Sequence, residues 1–368
     1  MTSSSQTRAS PVENDSRTIK CVVWDLDNTL WNGILVEDEA VTINQNVIDV
    51  IKQLDSRGIV NSIASKNEND LAWAKLVDFG LAEYFVFPEI NWNSKAQSIL
   101  AIAANMNIGL DAISFVDDDA FELEEVRFTH PSVLCIESDR IEQILDMPMM
   151  NPRFVTSEAK ARRAMYVADA ERTKSELAFQ GSSEEFLSSL NMVLTIRDAR
   201  DEDLERAAEL VLRTHQLNTT GYAFSFNELD AFRTSPSHRL LVSSLEDRFG
   251  SYGTIGVALV HCGERVWTIR LLLMSCRVMS RGVGTIVLNH VIDLARAAGT
   301  QLRAEFVPNE RNRMMYVSLR FNGFREEFRQ GDRIVLHRDM SAGGSYPEYV
   351  TLKLGNASDT YGSAPASP

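Results

Sequence analysis

The sequence predicts an α/β chain of two domains, a doubly wound parallel sheet followed by an α+β domain. Three observations carry this. The chain has 368 residues, enough for two hydrophobic cores. Residues 18–147 alternate short apolar runs with stretches of helical period, the pattern of βαβ units and a parallel sheet. From Met192 onward the texture changes to successive strands set off by Gly- and Asp-bearing turns, with helices between some of them. The boundaries read as a disordered tail over 1–17, a first domain over 18–147, a helical linker over 148–190, a second domain over 191–340 and a largely disordered tail over 341–368.

Composition narrows the function. A net charge of −14 argues against a nucleic-acid binder. No apolar stretch is long and clean enough to span a bilayer. The four cysteines, Cys21, Cys135, Cys262 and Cys276, form no C-x-x-C pair and no zinc spacing. With no signal peptide they read as reduced thiols of a cytoplasmic protein.

The first strand, Cys21-Val22-Val23-Trp24, runs into Asp25-Leu26-Asp27-Asn28-Thr29-Leu30-Trp31. Alternation along an extended chain sends Asp25 and Asp27 to the same side beyond the strand end. Carboxylates held that close need compensation, and a hard cation such as Mg²⁺ supplies it. A helix over 41–57 follows, stopped by Gly58. The next strand, 59–64, ends in Ser65-Lys66-Asn67, a set of donors suited to phosphate oxygens, or simply the cap of the helix over 70–79. A strand is expected at Tyr84-Phe85-Val86-Phe87. Lys95 sits just inside the start of the helix 96–106, where the macrodipole disfavours a cation, so it reads as a phosphate neutraliser or as a solvated surface lysine. The strand 112–116 then ends in Asp117-Asp118-Asp119. In a doubly wound sheet ligands bind beyond the carboxyl ends of the strands, which collects Asp25, Asp27, Ser65, Asp117 and Asp118 in one crevice.

In these motifs the chain resembles the haloacid-dehalogenase (HAD) type phosphatases, whose pattern is D-x-D-x-T, a strand-end Ser or Thr, a Lys, and a strand ending in Asp-Asp. The resemblance implies Asp25 as nucleophile and Asp27 as general acid and base. It implies Mg²⁺ held by Asp25, Asp117 and the Asp27 backbone carbonyl, with Asp118 nearby. Ser65 and Lys95 would bind the phosphoryl group, beside Lys66 and Asn67. Thirty-eight positions separate Asp27 from Ser65 and thirty separate Ser65 from Lys95. Helices already use that length, so no large cap domain is expected and the site should be open.

In the second domain, Ser280-Arg281-Gly282-Val283-Gly284 follows a strand and opens a helix. A glycine turn there exposes backbone N–H groups, a natural anion cradle. The order of elements is similar to the GNAT-type acyltransferases. That resemblance places a pantetheine-binding role on Arg281, Gly282 and Gly284, and on Asn312, Tyr316 and Gly323-Phe324. Arg277, Arg281, Arg303, Arg311 and Arg313 could together form a basic rim for an acidic carrier protein.

A phosphatase half before an acyltransferase half resembles the FkbH-like proteins of polyketide pathways. The residues that carry this are Trp24-Asp25-Leu26-Asp27-Asn28-Thr29-Leu30-Trp31, Ala64-Ser65-Lys66-Asn67, Arg213-Thr214, Gln216-Leu217-Asn218, Ser275-Cys276-Arg277-Val278 and Arg311-Asn312-Arg313-Met314-Met315. The resemblance covers residues 18–340. It implies an enzyme that takes glyceryl from 1,3-bisphosphoglycerate, removes phosphate and loads an acyl carrier protein through a thioester on Cys276. That thiol needs a base, which His215 or His290 could supply. Two other readings stand beside it: a plain Mg²⁺ phosphatase whose second domain docks a carrier, and a docking subunit without chemistry.

Overall fold

The computed structural model describes residues 18–355 apart from Glu39, His215 and Ala342. The expected N-terminal tail, the stretch 356–368 and the candidate base His215 lie outside the described residues. The chain divides into two compact units, 14–178 and 179–368.

The first unit runs β1 (Cys21–Trp24), β2 (Trp31–Asn32), β3 (Thr42–Ile43), α1 (Gln45–Ser56), β4 (Val60–Ser65), α2 (Asn69–Asp78), β5 (Glu89–Ile90), α3 (Lys95–Met106), β6 (Ile113–Asp117), α4 (Ala120–Thr129) and β7 (Leu134–Glu137). Its five-stranded sheet has the order β5-β4-β1-β6-β7, and every neighbouring pair is parallel. The period of two divides β1 between two cores. Val22 and Trp24 face one core, with α1 and α2. Cys21 and Val23 face the other, with α3 and α4. Burial on both faces is why these strands read as unbroken apolar runs. Asn44 caps α1 by accepting from the Asn46 N–H, and Gly58, just past the C-cap, takes the left-handed φ of +71° that ends the helix. Among the described residues the only insertion between β1 and α1 is the β2–β3 hairpin, and the spans between the later strands hold single helices and short turns. The fold class expected from the sequence, a doubly wound sheet with no large cap, is the one observed.

Two expectations need correcting here. The strand placed at Tyr84–Phe87 is a 3-10 turn, Ala82–Tyr84, and the strand proper is Glu89–Ile90. Phe87 has a φ of +50°, which no extended run tolerates. The stretch 148–190 is also no free-standing linker. Its helices α5 (Ser157–Lys160) and α6 (Arg162–Ala178) belong to the first unit, where buried Arg162 donates to Gly58 O at 2.8 Å and Arg163 pairs with Asp55 at 3.1 Å.

The second unit runs α7 (Ser183–Ser189), β8 (Met192–Asp198), α8 (Leu204–Arg213), α9 (Phe226–Thr234), β9 (His238–Asp247), β10 (Gly250–Cys262), β11 (Val266–Met274), α10 (Val283–Ala297), β12 (Gln301–Phe306), α11 (Arg313–Phe321), β13 (Phe324–Gln330), β14 (Arg333–Arg338) and β15 (Val350–Gly355). Its eight-stranded mixed sheet has the order β13-β14-β12-β11-β10-β9-β8-β15. Only β11–β12 and β15–β8 are parallel. Ser182 caps α7, as a full capping box with Glu185. The apolar side of α10, including Ile286, Val287 and Val291, fills the core against β10, β11 and β12. The tail assigned to 341–368 is corrected in part: Val350–Gly355 is an edge strand paired in parallel with β8. Five alternating residues after a Gly-, Ser- and Pro-bearing approach gave too short a period to detect.

At the centre of this sheet β11 and β12 pair only over Val266–Ile269 and Gln301–Ala304. Beyond that point the chain's own residues 217–220 take up their edges. Thr219 N donates to Leu272 O (3.0 Å), Met274 N to Leu217 O (2.9 Å) and Val307 N to Thr219 O (2.9 Å).

Candidate active site

The ends of β1, β4 and β6 converge, as parallel neighbours must. Asp25 N donates to Val116 O at 2.9 Å, fixing the end of β1 to the end of β6. One carboxylate oxygen from each of Asp25, Asp117 and Asp118 falls within 4.8 Å of the other two, with Asp25 and Asp117 buried and Asp118 exposed. Thr29 Oγ1 donates to Asp118 Oδ1 at 3.3 Å, and Asp119 N donates to Asp117 Oδ1 at 2.9 Å. Asp119 itself caps α4.

Lys95, the first residue of α3, reaches into this cluster and is buried. Its ammonium is ion-paired with Asp25, lies 3.2 Å from Asp117 Oδ2 and donates to Ala64 O at 3.0 Å. The Ser65 hydroxyl and the Leu26 N–H also donate to the Asp25 carboxylate. Burial pushes the Asp25 carboxyl above its ordinary range, against the pull of Lys95. Asp117 is pushed up to about 7, first by burial and then by the charge of Asp25. Burial lowers Lys95, but the two carboxylates outweigh it and hold the amine above its usual value. One ammonium therefore faces a surplus of buried negative charge.

The residues present fit a hard divalent cation. All three donors are carboxylates. Asp117 Oδ2 is buried and makes no aligned hydrogen bond despite its ion pair with Lys95.

Other residues singled out from sequence sit differently. The Asp27 side chain does not join the carboxylate cluster. It accepts from Trp31 Nε1 (2.7 Å), Leu35 N (3.0 Å) and Asn67 Nδ2 (2.9 Å). Asn67, expected among the phosphate donors, is buried and holds Asp27 instead. Lys66 pairs with Glu122 on α4 at 2.5 Å, because its position on alternation carries it away from Ser65. The resemblance gives Trp31, the last residue of the first motif, no role. The signal that could have found it is a Trp in a buried segment, whose indole N–H needs an acceptor.

In the second unit Cys276 begins a short 3-10 turn, Cys276–Arg281, at the end of β11. It is half-buried, with Sγ 3.7 Å from Gln216 Oε1. Gly282 follows in the left-handed region, φ +71°, as the N-cap of α10, and a Cβ there would meet Tyr349 Oη at 2.5 Å. Gly284 lies within the first turn of α10. A cavity of about 540 Å³ opens beside this turn, lined by Gly282, Thr285, Asn289, Arg338 and Tyr349 among others. Arg277 is half-buried, and Arg313 is exposed. Arg281, expected on the rim, is buried, with its guanidinium 5.8 Å from the Phe186 ring. Asn312 is fully buried. Both its amide hydrogens go to backbone carbonyls, Asn218 O at 3.0 Å and Val307 O at 2.8 Å, so it ties the 217–220 segment in place. Tyr316 donates to Glu326 at 2.7 Å. His290 is half-buried, and burial lowers its imidazole from the ordinary value.

No family model matches this chain, and no curated protein does. Solved structures do match parts of it. The N-terminal part of a Bacteroides fragilis protein, containing a phosphatase domain and complexed with Mg, is 30% identical over 33% of this chain and 36% of its own, with a TM-score of 0.30. The match thus spans about a third of that solved chain. The ribosomal-protein-S18-alanine N-acetyltransferase of Escherichia coli is 17% identical over 41% of this chain and 96% of its own, TM-score 0.32. The PaiA N-acetyltransferase of Thermoplasma acidophilum, in complex with coenzyme A, is 15% identical over 40% and 98%, TM-score 0.33.

The topology and strand-end carboxylates define the first unit as a HAD-like α/β fold without a large cap. The second unit is a GNAT-like α+β fold, a mixed sheet whose central parallel pair parts around residues 217–220, with a glycine turn opening the helix that follows β11. Among the described residues no helix is long and apolar enough to cross a membrane.

Proposed function

We propose that the chain is a bifunctional enzyme. Its first unit would be a Mg²⁺-dependent phosphohydrolase, and its second an acyltransferase that loads glyceryl from 1,3-bisphosphoglycerate onto the phosphopantetheine arm of an acyl carrier protein, as the FkbH-like resemblance implies. The observation that carries the reading is the convergence of Asp25, Asp117, Asp118, Lys95 and Ser65 at the carboxyl ends of one parallel sheet. Asp25 attacks phosphorus and Asp27 protonates the leaving oxygen, giving an aspartyl phosphate. Water then attacks phosphorus, passes its proton to Asp27 and frees inorganic phosphate and Asp25. Asp25, Asp117 and Asp118 would hold Mg²⁺, which neutralises the charge of the transferring phosphoryl group. Ser65 and Lys95 orient that group.

In the second unit Cys276 takes the acyl group. Its sulfur bonds to the carbonyl carbon of the mixed anhydride as the C–O bond to phosphate breaks, and the carrier thiol later displaces it. Support for this half is the place of Cys276 between the end of β11 and the glycine turn of α10. Intact-protein mass spectrometry after incubation with 1,3-bisphosphoglycerate tests both halves. The wild type should carry a glyceryl adduct, Asp25→Asn a phosphoglyceryl adduct and Cys276→Ala none. A Cys276→Ala protein that still carries the adduct and loads carrier protein would remove Cys276 from the reaction.

One observation favours the second reading, a Mg²⁺ phosphohydrolase with a carrier-docking unit. The edge of β11 that a pantetheine arm could pair with is bonded to residues 217–219 at Leu272 and Met274. Absence of any acyl adduct, with Mg²⁺-dependent phosphate release intact, would select that reading.

A further inference from the structure

We propose that Trp31 and Asn67 are positioning residues for Asp27, locking its carboxylate so that only one lone pair, on Oδ2, can exchange a proton with the leaving group and then with water. This rests on the phosphohydrolase reading of the first unit.

An ionised carboxylate offers four lone-pair directions, two on each oxygen. Oδ1 accepts from the Trp31 indole N–H at 2.7 Å and from the Leu35 backbone N–H at 3.0 Å, which fills it. Oδ2 accepts from Asn67 Nδ2 at 2.9 Å. Among the described residues no other group bonds this carboxylate, so one direction on Oδ2 is left. The amide of Asn67 cannot face the other way, because its own Oδ1 accepts the Glu68 N–H at 2.9 Å. Trp31 cannot swing aside either. It is 1% exposed, its backbone pairs with Ile43 in the β2–β3 hairpin, and its ring packs 6.2 Å from that of Phe79. Asn67 is 2% exposed, whereas Asp27 is half-buried. Both holders are thus fixed in the core, while the carboxylate they hold is only half-buried.

The indole N–H and the backbone N–H can only donate. Turning the carboxylate to offer Oδ1 would strand both donors inside the protein, so the orientation is set by the fold and not by the substrate. The β2–β3 hairpin, which stands where a cap could have been inserted, therefore serves the chemistry by carrying Trp31 and Leu35 to Asp27.

Leaving-group dependence separates this from a packing role. Trp31→Phe keeps an aromatic ring and removes the donor, and Asn67→Leu removes the amide donor while keeping the branched shape and the number of heavy atoms. Each full-length variant, in Mg²⁺, is assayed on an alkyl phosphate (glycerol 3-phosphate) and on p-nitrophenyl phosphate. The alkyl leaving group needs a proton and the nitrophenolate does not. Misdirecting Oδ2 should lower kcat on the alkyl phosphate by about 10²-fold with KM little changed, and much less on the first step with p-nitrophenyl phosphate. Aspartyl phosphate should accumulate with the latter, since water attack still needs Asp27. Equal losses in the rate of phosphoenzyme formation from both substrates, or unchanged kcat on the alkyl phosphate in a folded Asn67→Leu, would overturn the inference even if Trp31→Phe proves unstable. A wild type that hydrolyses neither substrate and forms no phosphoenzyme would overturn the phosphohydrolase reading and this inference with it.

Discussion

The strand ends of the first unit and the glycine turn of the second were both marked by charged or glycine-rich motifs, yet the structure treats them differently. At the ends of β1 and β6 like charges meet: buried Asp25 and Asp117, exposed Asp118, and one ammonium among them. Beside α10 the marked polar groups largely bond within their own unit. Asn312 ties two backbone carbonyls, Tyr316 bonds Glu326, and Arg281 lies buried on Phe186. A cluster that leaves charge uncompensated is built for something the chain lacks, whereas a cluster that satisfies itself holds the fold. The first half of the proposed chemistry therefore stands on geometry, and the second on the placement of Cys276 and Gly282.

The largest expected effect tests the first side of that contrast. Asp25→Asn should abolish phosphate release, since an amide is no phosphoryl nucleophile and brings no charge to a cation. Circular dichroism should show the fold intact. Phosphate release near the wild-type rate would break the assignment. Excess EDTA should stop the wild type as well, and undiminished turnover would remove the metal.

Lys95→Met comes next. It strands Asp25 and Asp117, and breaking a buried ion pair from one side costs about 3–5 kcal/mol. The pH dependence has a definite sign. Asp117 in the folded protein is raised to about 7 from an ordinary 3.8, so its ionisation disfavours folding. That penalty is absent below about pH 4 and grows as pH rises toward 7. The variant should melt lowest, relative to wild type, at pH 8, recover at pH 5, and recover at pH 8 when Mg²⁺ is added. Equal destabilisation at both pH values would mean that Lys95 acts by packing alone.

A charge-reversal pair probes the second side. Arg281→Glu should lower the melting temperature by the equivalent of about 3–5 kcal/mol, because it puts a carboxylate where a buried guanidinium packed. Arg313→Glu, at an exposed position, should change stability by less than about 0.5 kcal/mol. If only Arg313→Glu raises the KM for carrier protein, the basic rim survives without Arg281. If Arg281→Glu folds as well as wild type and raises that KM, Arg281 does belong to a docking surface.

These contrasts also show what the sequence could convey. Asp25, Ser65 and Asp117 were legible because a strand's period of two fixes where its last side chains point, and parallel order brings strand ends together. The absence of a large cap was legible from spacing alone. The partners were not. Nothing near Asp27 says that Trp31, folded back on a hairpin, will meet its Oδ1, or that Lys66 will find Glu122 fifty-six positions later. The burial of Arg281 was not legible because a glycine turn suggests an exposed cradle, while the ring it lies on, Phe186, comes from a distant helix. β15 was hidden by its length, and only β8 beside it makes it a strand.

The smallest expected effect is the sharpest test of the claim that the second unit satisfies its own polar groups. His238, half-buried at the start of β9, has Nδ1 3.0 Å from Ser235 Oγ and 3.1 Å from Ser237 Oγ. Its ring lies 5.0 Å from that of His261 and 4.9 Å from that of Phe232. Burial, then the nearby His261 and the Arg270 charge, lower its imidazole to about 4 from an ordinary 6.5. The unfolded chain therefore binds a proton that the folded one refuses between those values. Stability from this site is complete above about pH 6.5 and is lost as pH falls toward 4. Nuclear magnetic resonance of the imidazole Cε1–H should show a midpoint near 4, and Arg270→Gln should raise it by removing a cation. A midpoint of 6 or above in the wild type would mean that His238 is solvated. The polar face it shares with Arg270 and His261 would then be open to a ligand, and the contrast between the two units would narrow.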